Sequence, residues 1–174
     1  MANNTATDIN ILEQLVVFKL GKEEYGANIQ QIKEILEIPV ITRMPKTADF
    51  ISGIISLRGQ VIAVINLNKR FLLEEQPETS SQHIIVVDLE ENPTGMIVDE
   101  VVDVLRVTEG NIDKTPSLIE TNIDDEYIEG IIRVEDRLII LLDLFKILSG
   151  DEISQLKEIN VNEEESVGEQ VISD

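Results

Sequence analysis

The chain contains neither cysteine nor tryptophan. Without thiols there is no disulfide, no thiolate nucleophile, no zinc–thiolate site and no iron–sulfur cluster. Aromatic residues make up 3% of the sequence, so the core must be aliphatic and stacking platforms for bases or sugars are not expected. Cations are scarce as well, with 14 Lys and Arg against 34 Asp and Glu, a net charge of -20. Such a chain repels DNA, RNA and anionic membranes, because nucleic-acid affinity comes largely from cationic contacts with phosphate. The apolar runs, such as 61–65 and 138–142, fall far short of the roughly 20 residues of a membrane span. The first residues lack the basic and apolar regions of a secretory leader. A cytoplasmic protein is the expectation, with no nucleic-acid partner and no direct membrane insertion.

Catalytic patterns are missing too. The single histidine, His83, stands at the start of an apolar run, where a lone histidine is usually structural or solvated. No glycine-rich phosphate cradle and no Gly-x-Ser-x-Gly elbow occurs. Asp99, Glu100 and Asp103 form one acidic group, and Asp124, Asp125 and Glu126 another. Lacking histidine ligands or EF-hand spacing, they read as solvated acids. The expectation is no catalytic residue, no metal and no cofactor.

What the chain does contain is a repeat. Phe50–Phe71 lies over Tyr127–Leu148 at a shift of 77, with 7 of the 22 aligned positions identical. Most other positions swap like for like, but Arg58-Gly59 faces Glu135-Asp136. Upstream, Val16–Leu36 overlays Ile85–Leu105 at a shift of 69, matching Val17 with Val86 and Gly26 with Gly95. Each copy reads as roughly five short strands. Gly21-Lys22 and Arg58-Gly59 are hairpin turns. Asn28 caps a predicted short helix running through Glu34–Leu36, with Ile29, Ile32, Ile35 and Leu36 on one face. Residues 67–72 read as a single helical turn. Runs 61–67 and 138–144 are apolar on both faces, which suits a curled or closed sheet.

The predicted fold is mainly β, with two similar five-stranded β-barrel subdomains related by the repeat, short helices and a C-terminal helix. The subdomains span roughly 13–75 and 82–150, and strands can be exchanged between them. Residues 1–12 read as a flexible start, 151–161 as the C-terminal helix and 162–174 as a disordered acidic tail.

Two residues stand out as recognition candidates. Arg58 sits at a tight hairpin tip, where its planar fork suits carboxylates, although an ordinary solvated turn residue fits equally well. Glu34 is a candidate recognition acid beside the exposed edge of Ile32, or simply a helix-surface glutamate.

The run Phe50–Leu67, containing Leu57-Arg58-Gly59, resembles the signature of the CheW family of bacterial chemotaxis coupling proteins. So do Glu24–Ile35, Gly95–Leu105, Tyr127–Gly130 and Asp136–Asp143. The resemblance covers about residues 13–150. It implies two five-stranded barrels, no enzymatic activity and an adaptor role joining methyl-accepting chemoreceptors to the histidine kinase CheA. The implied partners are the regulatory domain of that kinase and the cytoplasmic helical tips of the receptors, in arrays at the membrane. By family position, Arg58 and Gly59 belong to the receptor-coupling site, and Ile32 and Glu34 match positions implicated in it. Ser56, Ala63 and Asn66 depart from the usual Asn, Pro and Asp, which bears on receptor preference more than on fold. A paralogous pathway, controlling surface motility or gene expression, stays open as an alternative.

Overall fold

The computed structural model describes residues 12–73, 81–113 and 125–159. Most of residues 1–12, most of the connector 74–82 and the acidic tail 162–174 lie outside the described residues. In chain order the strands are β1 Leu12–Leu20, β2 Glu23–Asn28, β3 Glu34–Glu37, β4 Ile51–Leu57 and β5 Gln60–Asn66. A short helix, α1, follows at Leu67–Arg70. The second copy supplies β6 His83–Leu89, β7 Asn92–Val98, β8 Glu100–Thr108, β9 Ile112–Asp113, β10 Ile128–Val134 and β11 Arg137–Leu142. A final helix, α2, covers 150–159.

Two sheets form, and each draws on both copies of the repeat. One has the order β3-β6-β7-β5-β4 and the other β8-β1-β2-β11-β10-β9. The third strand of each copy pairs with the first strand of the other: β3 with β6, and β8 with β1. The connections β5 to β7 and β11 to β2 are parallel. Both sheets close on themselves. Thr42, downstream of β3, bridges to Ile54 of β4 and seals the first barrel. In the second barrel β8 bends through a 3-10 turn into β9, which pairs with β10.

Glycine makes both closures possible. A β-carbon on Gly53 would lie 2.1 Å from the Thr42 carbonyl oxygen, and Gly53 has φ 147°. Its repeat mate Gly130 faces the Asp113 carbonyl in the same way, at 2.7 Å. Both sit at register shifts in their hairpins, where an extra residue bends the strand towards its closing partner.

The doubly apolar strands follow from this architecture. Ile62 and Val64 of β5 fill the first barrel with Ile55, Ile84, Val86 and Ile97. Ile139 and Leu141 of β11 fill the second with Leu15, Val17, Val107 and Ile132. Side chains of opposite parity, including Ala63, Ile65, Ile140 and Leu142, point outwards into a larger cluster between the barrels. Helix α2 adds Ile153 and Leu156 to that cluster. Its first turn is a reciprocal capping box. The Ser149 N–H donates to Glu152 Oε1 (2.8 Å), and the Glu152 N–H donates to Ser149 Oγ (3.2 Å).

One local expectation fails. The predicted helix from Asn28 through Leu36 is only a 3-10 turn, Ile29–Gln31, capped by the Asn28 side chain on the Gln30 N–H. Glu34–Glu37 is instead a strand on β6. The spacing of Ile29, Ile32, Ile35 and Leu36 fits a helix, but pairing with the buried β6 outweighs that local preference. Consequently Leu36 turns to the first barrel's interior cluster while Ile35 is exposed.

Candidate functional site

Strand β3 brings Glu34 to the mouth of the first barrel. Glu34 pairs with Val86 and shares its face with Leu36, so its side chain points to the barrel axis beyond the apolar filling. The β4–β5 hairpin rises beside it and turns in two residues, with Leu57 opposite Gln60. Both turn residues have positive φ, 50° for Arg58 and 79° for Gly59. That is the backbone of a turn matched to the right-handed twist of a hairpin. Gly59 adopts it freely, and its missing β-carbon would meet nothing within 4 Å. Arg58 adopts it at a cost of about 1 kcal/mol.

The Arg58 guanidinium donates to the Glu34 carboxylate, forming an ion pair across the barrel mouth. The Arg58 side chain remains 69% exposed and Glu34 20%. The two acid and base candidates from the sequence thus meet in space, with Gly59 completing the turn. Ile32 does not join them. Its side chain is half-buried and packs against the inter-barrel cluster, rather than flanking Glu34 on an exposed helix.

Several other polar groups tie the fold together. Arg70 of α1 donates to the Ile147 carbonyl (3.1 Å), the Tyr127 hydroxyl (3.0 Å) and Glu152 (3.2 Å), and its guanidinium lies over the Phe50 and Tyr127 rings. It ties the first copy to the second and to α2. Asp99, expected to be a solvated acid, is largely buried. It accepts from the Gly21 N–H at 2.6 Å and from the Asn68 amide at 2.9 Å. His83 donates through Nδ1 to the Ser81 carbonyl at 2.7 Å. Each of these is a structural tie. Among the described residues no group of three or more His, Cys, Asp or Glu is placed to hold a metal ion. No described helix is long and apolar enough to cross a membrane.

The second barrel's mouth has no cation at its tip, which is Glu135-Asp136. Its arginine is the first residue of β11 instead. Arg137 donates to both oxygens of Glu24, at 3.0 and 2.9 Å, and lies 3.9 Å from Asp103. The Glu24 hydrogen bond, more than the surrounding acids, raises the Arg137 pKa above its already high usual value.

A family model described as a CheW-like domain matches residues 14–152. The chain belongs to the CheW family. Chemotaxis protein CheW of Treponema pallidum is 34% identical over 147 residues, covering 82% of this chain and 86% of the relative. Chemotaxis protein CheW of Bacillus subtilis is 35% identical over 141 residues, covering 81% and 90%. Among solved structures, the scaffolding protein TtCheW of Thermoanaerobacter tengcongensis superposes with a TM-score of 0.74 at 35% identity. That match covers 82% of this chain and 91% of that one. The CheW match runs from β1 into α2 and so takes in both barrels.

Proposed function

We infer that this protein is a chemotaxis adaptor, a non-catalytic scaffold that holds chemoreceptors and a CheA-type histidine kinase together. Arg58, Gly59 and Glu34 form its receptor-facing site, while Ile32, grouped with them by family position, packs against the inter-barrel cluster beside it. The observation that carries the site assignment is the Glu34–Arg58 ion pair, built at a hairpin tip and left open to solvent on its arginine side. An exposed pair of this kind contributes only about 0–1 kcal/mol to stability. It therefore opens at little cost, offering a bidentate donor to a partner carboxylate and an acid to a partner cation. The rigid turn holds the guanidinium in place beforehand, so little ordering entropy is lost on docking. A helical receptor tip is a suitable partner, with its apolar stripe on the aliphatic surface and its polar edge on the pair. Joining two partners on one rigid body raises their effective concentration, which is all the chemistry a scaffold needs.

The test is a pull-down from cell extract with the wild-type chain and Arg58→Glu. The expected result is recovery of a large histidine kinase by both, and of chemoreceptors by the wild type alone. Equal receptor recovery by a folded Arg58→Glu protein would overturn the site assignment.

A further inference from the structure

We propose that Gln31 is a positioning residue for the receptor-facing strand, fastening the segment that enters β3 to the second barrel through Asp143 and Leu144. This rests on the adaptor reading above and adds a residue to its site. Gln31 lies at the end of the 3-10 turn Ile29–Gln31, immediately before Ile32 and three residues before Glu34. Its amide makes two bonds to one point of the second barrel. Nε2 donates to Asp143 Oδ1 at 2.9 Å, and Oε1 accepts from the Leu144 N–H at 2.9 Å. Asp143 is itself held firmly. Its N–H donates to the Tyr127 carbonyl (2.8 Å), and its Oδ1 also caps the Phe145 N–H (3.0 Å).

The geometry is specific to an amide, since one end must donate and the other accept. It is also built only once. The repeat places Glu100 where Gln31 stands and Asn66 where Asp143 stands. No bond joins that pair among the described residues, and Asn66 accepts from the Lys69 N–H instead. The turn leaves β2 of the second barrel for β3 of the first, and Gln31 bonds it to the second barrel again at Asp143 and Leu144. Gln31 thereby sets where Ile32 and Glu34 sit relative to the far barrel, which a plain surface turn would leave loose.

The test uses the full chain, with a receptor cytoplasmic-tip fragment and the kinase regulatory domain as probes in calorimetry. Gln31→Glu keeps the shape but removes the donor and sets a carboxylate against Asp143. Loss of the donated bond, together with repulsion from Asp143, should weaken receptor-tip binding about fivefold to tenfold. Kinase-domain affinity should not change. Arg58→Glu runs alongside as the control for the site itself. Unchanged receptor binding in Gln31→Glu, with Arg58→Glu defective, overturns the role of Gln31 and leaves the site standing. Receptor binding unchanged in both variants overturns the site. Parallel loss of kinase binding shows a purely structural residue and also overturns the proposal.

Discussion

The two barrel mouths solve the same electrostatic problem from different positions. In the first, the acid Glu34 reaches from β3 and the arginine stands on the hairpin tip, 69% exposed. In the second, Asp103 occupies the matching place on β8, Glu24 is added from β2, and Arg137 reaches inwards from β11 with only 32% of its side chain exposed. Moving the arginine by two alignment positions turns an open pair into a closed one. A closed bidentate pair holds strands together. An open pair contributes little to the fold and leaves its cation for a partner.

The largest effect expected from breaking this symmetry is at the barrel closures. Gly53→Ala forces a β-carbon against the Thr42 carbonyl from a positive φ and should cost roughly 3 kcal/mol in urea unfolding. Gly130→Ala, whose nearest atoms are 2.7 Å away, should cost less. Equal losses would mean that the two seams are equally tight. The next effect is at the mouths. Arg137→Ala strands two acids and should lower stability by about 1–2 kcal/mol, against about 0–1 kcal/mol for Arg58→Ala. A reversed order would undo the distinction between closed and open pairs. Receptor binding should show the opposite ranking, with the Arg58 variant defective and the Arg137 variant near normal.

The smallest effect is a pH dependence confined to the second barrel. Burial, and then the neighbouring Asp143 and Glu13 carboxylates, raise the Glu129 pKa above the usual carboxylate value. A raised folded-state pKa means that the protonated form favours folding. That contribution is complete below the unfolded-state pKa and is lost as pH rises through the raised value. Glu129→Gln should therefore raise the melting midpoint by about 1–2 °C at neutral pH. The gain should vanish as pH falls through the carboxylate range. A gain that persists in acid would point to packing rather than charge.

Much of the fold was legible because its signals are local. Gly21-Lys22 and Arg58-Gly59 announced two-residue hairpins, and the runs on either side are strands β1, β2, β4 and β5. The mismatch between Arg58-Gly59 and Glu135-Asp136 marked the place where the barrels differ. The segment 29–36 misled because its apolar spacing fits a helix, and only the distant β6 makes a strand the better solution. Arg137 was overlooked although the repeat sets it opposite Gln60, because nothing local shows that Glu24 comes within its reach. Gln31 and Arg70 carried no signal at all, since their hydrogen-bond partners lie more than 50 residues away along the chain.

By itself the sequence determined most of the strands, the turns, the duplication and the arginine tip, because short-range sterics and alternating hydrophobicity act within a few residues. The tertiary structure decided which copy each strand joins, where the second face of each apolar strand is buried and which acid meets Arg58. Those choices depend on burying the outer faces of β5 and β11 together, an energy that exists only once the two barrels are in contact.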